Sequence, residues 1–201
     1  MISWPSLQGA EIPAGIALSC PPINWQRKGT IFIRNNVVTS RRAHEFQVFI
    51  DTEFTDFIDT HLISIGMAAE SGKEFYVEVP YPDKSCSAFV REAVIPLLGR
   101  IPGAFCMVED ISVKMIAWLN TVRRGTEDIE ICFDYQTDWD LFTDVLDYRI
   151  PPWCHARRIG KNINELLHHE FHKKNNLPEH HALYDAMANR CVFRELTFQT
   201  T

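Results

Sequence analysis

No stretch of this 201-residue sequence reaches the ~18 consecutive apolar residues that a membrane-spanning helix requires. Met1–Ala10 also lacks the basic region followed by an apolar run that marks a secretory leader. There is no Cys-x-x-Cys pair. Cys20, Cys86, Cys106, Cys132, Cys154 and Cys191 therefore read as buried, reduced thiols of a cytoplasmic protein. A glycine-rich phosphate loop and a Gly-x-Ser-x-Gly elbow are both missing, which argues against nucleotide-cradling and serine-hydrolase chemistry. An excess of positive charge is missing too. Lys and Arg number 20 against 26 Asp and Glu, for a net charge of −6. A protein that coats long nucleic acid is usually basic, so the charge argues against an extended electrostatic footprint. It argues less against a grip on a few terminal nucleotides.

What is present suits one globular domain with a tail. Hydrophobic residues make up 46% and charged residues 23%, enough for a sizeable core. Residues 1–45 stand apart as an N-terminal extension, either an accessory arm or an upstream stretch that does not fold. They carry Pro5, Pro13, Pro21, Pro22, Arg41 and Arg42, with Thr30–Arg34 as a short strand at most. The organised domain, 46–201, opens with Phe46–Ile50, a continuous apolar run suited to a strand buried on both faces. His61–Ala68 and Glu74–Val79 read as the next strands, joined by a turn at Ser71-Gly72-Lys73. Helical spacing follows over Ser87–Leu98 and Ser112–Arg124, where Trp118 and Leu119 fall on the apolar side. A strand at Ile129–Phe133 comes next, then helices at Thr137–Leu146 (Thr137 as N-cap), Asn164–Lys173 and Glu179–Leu196. Antiparallel strands first, then strands alternating with helices, point to an α/β fold with a mixed sheet flanked by helices.

Three acidic clusters carry the chemistry. In Phe49-Ile50-Asp51-Thr52-Glu53-Phe54-Thr55, strand alternation points Asp51 and Glu53 to the same side. Side-by-side carboxylates repel unless cations neutralise them, and hard divalent cations favour oxygen ligands. The plainer reading is two solvated acids in a strand-end turn. The second cluster is Asp134-Tyr135-Gln136-Thr137-Asp138-Trp139-Asp140, between a strand and a helix, where acids also serve simply to complement the helix dipole. The third is Glu179-His180-His181-Ala182-Leu183-Tyr184-Asp185, where a histidine beside a carboxylate suits a general base next to a metal ligand, or a capping histidine and a surface acid.

Taken together and in order, the clusters resemble the DEDD exonuclease superfamily of its histidine type (DEDDh), closest to small stand-alone 3′→5′ exoribonucleases. Asp51-Thr52-Glu53 is similar to the first motif of that group. Asp138 matches the aspartate at a strand-to-helix junction, with Asp134 and Asp140 as rivals because the usual Asn-x-x-Phe-Asp pattern is not kept. His180 to Asp185 matches the His-x-x-x-x-Asp motif. His181 is a rival at i,i+4 from Asp185, but the family places its histidine on the loop before the helix, which favours His180. The resemblance covers residues 46–196. It implies a ribonuclease H-like mixed five-stranded sheet flanked by helices and two Mg²⁺ or Mn²⁺ ions held by Asp51, Glu53, Asp138 and Asp185. It further implies His180 as base, and Phe54 and Thr55 near the terminal nucleotide of a single-stranded RNA or DNA 3′ end. The implied product is a nucleoside 5′-monophosphate. Small members of the group are often homodimers.

Two competing functions share this fold: a catalytically inactive nucleic-acid-binding protein, and a two-metal endonuclease. Four retained acids with a histidine disfavour the first, and the third-motif histidine disfavours the second. His168 and His172 have the i,i+4 spacing of some zinc sites, but Glu170 is misplaced for His-Glu-x-x-His. With no third ligand in view, His168, His169 and His172 read as an exposed polar helix face. Arg157, Arg158, Lys161, Lys173 and Lys174 read as surface charge, or as guides for a phosphate backbone.

Overall fold

A computed structural model describes residues 46–193, so the predicted extension 1–45, with its Thr30–Arg34 strand, and residues 194–201 lie outside the described residues. Five strands form one sheet: β1 (Phe46–Phe54), β2 (Leu62–Ala69), β3 (Glu74–Glu78), β4 (Ile129–Phe133) and β5 (Cys154–Arg158), in the order β3-β2-β1-β4-β5. β1, β2 and β3 pair antiparallel, while β4 joins β1, and β5 joins β4, in parallel. This is the ribonuclease H-like mixed sheet flanked by helices.

The strand assignment follows from burial. β1 is the central strand, and its Phe46–Ile50 run is buried throughout. Val48 and Ile50 face a core built with Ile65, Met67 and Ile131, which is covered by α1 (Val108–Val122) and α2 (Gln136–Val145). The opposite face takes Phe49, packed with Cys132, Ile159 and Phe193. It also takes Ala68, packed beneath α4 (Ala182–Val192), whose outer side meets α3 (Glu165–Asn175). Trp118 packs against the first core beside Phe75, and Leu119 is fully buried there.

Three elements differ from expectation. β5 was not legible, because Cys-His-Ala-Arg-Arg has no apolar run. It is an edge strand whose Arg157 reaches Glu130 on β4 at 2.5 Å. The expected Ser87–Leu98 helix is broken into a wide turn at Val90–Val94 and a 3₁₀ turn at Ile95–Leu97. Pro96, without an N–H, cannot continue the helical ladder. The expected last helix starts at Ala182, because His180 adopts a left-handed backbone (φ 62°) that no right-handed helix accommodates. Cys86, Cys106, Cys132 and Cys154 are buried and in no disulfide, whereas Cys191 is disulfide-bonded, which departs from the expectation of reduced thiols throughout. No described helix is long and apolar enough to cross a membrane.

One glycine sets the seat of α4. Gly66 on β2 lies opposite Asp51 on β1. A Cβ at Gly66 would stand 2.3 Å from the Ala182 carbonyl carbon and the Leu183 nitrogen. The first turn of α4 therefore rests directly on the strand backbone. Gly66→Ala is expected to destabilise the fold by about 1–3 kcal/mol or more, since neither backbone can yield cheaply. Urea denaturation measures this, and an unchanged midpoint would show that the contact is not tight.

Candidate active site

The C-terminal end of β1 delivers the first carboxylates. Asp51 and Glu53 lie on the α4 side of the sheet, as strand alternation requires, and both are half-buried. The register of β1 on β2 shifts between Glu53 and Phe54, so Phe54 leaves the regular alternation. Asp134 follows the end of β4 directly. Asp185 sits in the first turn of α4, where its Oδ2 accepts the His181 backbone N–H at 2.9 Å.

Asp138, in the first turn of α2, is buried. Its Oδ1 accepts from the Thr52 hydroxyl at 2.7 Å and the Thr52 N–H at 3.1 Å, and its Oδ2 accepts from the Tyr135 N–H at 3.2 Å. The N-cap of α2 is therefore Tyr135 rather than Thr137, because the Asp138 side chain reaches back to satisfy that end of the helix.

These elements bring Asp51, Glu53, Asp134, Asp138 and Asp185 to one open cleft of about 240 Å³, shared with Thr52, Phe54, Phe57, Tyr135, His168 and His180. That is below the ~300–1,000 Å³ that engulf a drug-sized ligand, so the cleft admits the end of a chain or hydrated ions. Of the three second-cluster rivals, Asp134 and Asp138 reach the cleft. Asp140 is exposed and takes a hydrogen bond from Gln136.

The two histidines of the third cluster separate cleanly. His180 is exposed at the cleft, its ring edge-on to Phe89 with centroids 4.9 Å apart. His181 is buried, stacked between Tyr76 and Tyr184, with both ring nitrogens lacking hydrogen-bond partners. Burial pushes its pKa down to about 4, so it is neutral near pH 7. Thr55 is also buried. Its hydroxyl donates to the Asp59 carbonyl, and it does not line the cleft. Phe57, unremarked in the sequence, stands beside Phe54 with ring centroids 5.0 Å apart and is largely exposed. Two aromatic residues within four positions of the first acidic pair were the available signal.

Among the described residues, no Lys or Arg lines the cleft. Burial pushes Asp51 well above the usual carboxylate range, and the charges of Asp138, Asp185, Asp134 and Glu53 push it further. Burial raises Glu53 likewise, with Asp185 and Asp138 adding to it. Asp138 is pushed up to about 7, by burial and then by Asp134, against the pull of its Thr52 and Tyr135 hydrogen bonds. One buried oxygen of Asp134, Oδ1, has no hydrogen-bond partner. Two trios, Asp51–Asp134–Asp138 and Asp51–Glu53–Asp185, each bring their oxygens within 4.8 Å of one another and share Asp51. An all-oxygen donor set that lacks countercharge fits hard divalent cations.

Three solved structures are similar to this chain. The nuclease domain of 3′hExo, a DEDDh family member bound to rAMP, is 16% identical, with 75% of this chain and 95% of that one covered at a TM-score of 0.47. A full-length 3′-exonuclease is 12% identical, with 75% and 84% covered at 0.46. Cell-death related nuclease 4 is 16% identical, with 74% and 62% covered at 0.43. No protein-family model matches the chain, and no curated protein matches it by sequence.

The raised carboxylates fix a sign for pH dependence. Asp138, pushed up to about 7, holds in the folded chain a proton that the unfolded chain releases near ~4. Its contribution to stability is full below the unfolded value and is lost as pH rises through about 7, and the raised Asp51 and Glu53 act with the same sign. In chelator, the melting temperature should carry this decline. Mg²⁺ should raise it more at pH 8 than at pH 5, as calorimetry at the two pH values will show. An equal Mg²⁺ increment at both would mean that these acids do not share a cation site.

Proposed function

We propose that this chain is a metal-dependent 3′→5′ exonuclease, an exoribonuclease in its preferred form, that releases nucleoside 5′-monophosphates from single-stranded 3′ ends. The observation that carries the reading is the meeting of Asp51, Glu53, Asp138 and Asp185 in a cleft that no described Lys or Arg lines, with the exposed imidazole of His180 at the same cleft. Two Mg²⁺ or Mn²⁺ ions held by those four acids would supply the positive charge that a phosphodiester and its attacking water require.

The chain's own residues do the rest. Asp51 belongs to both carboxylate trios and so takes the shared position. Asp138, tied to Thr52 and Tyr135, acts mostly through its charge. His180 takes the proton from the attacking water, the role that an accessible imidazole suits at neutral pH. His181, stacked and buried, supports α4 instead. Phe54 stacks on the terminal base with Phe57 beside it, and Thr55 braces the Asp56–Thr60 loop that carries Phe57. Stacking gives affinity without basic residues, in keeping with the acidic composition.

The test is digestion of 5′-labelled single-stranded RNA, and of its DNA counterpart, with Mg²⁺, Mn²⁺ or EDTA. A ladder that shortens from the 3′ end and is absent in EDTA is expected, with RNA the faster substrate. Asp51→Asn should abolish it. His180→Asn should lower kcat by about 10²–10⁴-fold, with His181→Phe the milder change. Cutting of a 3′-blocked strand would assign an endonuclease. Strand binding without cutting under either metal would assign a binding protein.

A further inference from the structure

Of the three histidines read from sequence as an exposed helix face, His169 is exposed, but His168 and His172 are not. His172 is 2% exposed and His168 is half-buried, both on the side of α3 that meets α4. The third ligand that the sequence did not reveal is Asp185. Its Oδ1 lies 3.0 Å from His172 Nε2 and 3.9 Å from His168 Nε2. We propose that His168, His172 and Asp185 form a site for a nitrogen-preferring divalent transition metal, with Zn²⁺ the fitting ion, separate from the all-oxygen trios and adjoining them at Asp185.

Three features carry this. First, the spacing is that of ligands around one ion. Two donors each ~2.1 Å from a tetrahedral zinc stand ~3.4 Å apart, and the observed 3.0 and 3.9 Å straddle that value. All three donor atoms fall within 4.8 Å of one another. Second, His172 is orphaned. Both of its ring nitrogens are buried without a hydrogen-bond partner, because the 3.0 Å approach to Asp185 does not have hydrogen-bond geometry. A buried polar ring without a partner is costly, and coordination of Nε2 would offset that cost. Third, the donor set selects the ion. Two imidazoles and one carboxylate suit zinc and related metals, whereas Mg²⁺ favours oxygen. His168 and Asp185 also line the cleft, so a solvent or phosphate oxygen there would complete the shell of a three-ligand site.

The proposal does not depend on nuclease activity. Asp185 also belongs to the Asp51–Glu53–Asp185 trio, so an ion at the histidines draws on a carboxylate that the oxygen site uses. The full chain, prepared without a histidine tag and stripped with chelator, should be titrated with Co²⁺ in excess Mg²⁺, with the visible absorption of the bound ion as readout. One Co²⁺ per chain is expected, displaced by one equivalent of Zn²⁺. His168→Gln and His172→Gln should each weaken binding by more than about tenfold, while Asp51→Asn leaves it within about threefold. His172 is buried and its substitution can disturb the fold, so the half-buried His168→Gln decides, with circular dichroism as the folding control. No Co²⁺ uptake by the parent, unchanged affinity in His168→Gln, or loss in Asp51→Asn alone would each overturn the proposal.

Discussion

The contact on which the rest of the structure depends is the seating of α4 on bare backbone at Gly66. Most helices rest on a sheet through side chains, which keep the two backbones about 10 Å apart. Here the Ala182–Leu183 peptide meets the strand where Asp51 has its cross-strand partner. That closeness brings the first turn of α4 level with the end of β1. Asp185 thus reaches Asp51 and Glu53 without a long arm, and its orientation is fixed by the His181 N–H. The same descent ends at His180, whose left-handed backbone turns its ring to the cleft while its neighbour is pressed between two tyrosines.

The cleft gains its chemistry at a cost to the fold. Five carboxylates share it, and among the described residues no Lys or Arg lines it. Interiors ordinarily avoid such grouping, because each ionised acid loses solvent and feels the others. The surrounding core compensates. β1 is held between β2 and β4, and the Thr52–Asp138 bonds lock strand to helix beneath the acids. A site destabilised in isolation and supported by rigid elements is the usual arrangement where charge must be offered to a ligand.

Much of this was legible in the sequence, for physical reasons that differ by element. β1 and β4 announce themselves because burial on both faces demands continuous apolar runs. Asp51 and Glu53 share a side because a strand has a period of two. β5 stayed hidden because an edge strand needs pairing but little apolar content. Ser87–Leu98 is helical over much of its length, but its apolar spacing does not reveal that the hydrogen-bond ladder changes from π to 3₁₀ around Pro96. Asp138 was preferred from sequence with Asp134 and Asp140 as rivals, and four residues of turn and helix bring both Asp134 and Asp138 to the cleft. His168 and His172 of α3 were misjudged because periodicity along one helix is blind to what a second helix lays over it. Asp185 lies beyond any local window.

The order of these pieces along the chain has a consequence for how the protein is made. Asp51 and Glu53 are translated early, while Asp185 arrives only with the last described helix. β1 must wait for β4 to complete its parallel pairing, and the carboxylate cluster must wait longer still for α4. Contacts between such distant parts of a chain form late and slowly. A chain that still lacks α4 therefore carries the Asp51–Asp134–Asp138 group but not the Asp51–Glu53–Asp185 one. The full group of charges that stresses the finished molecule is assembled only with the last described helix.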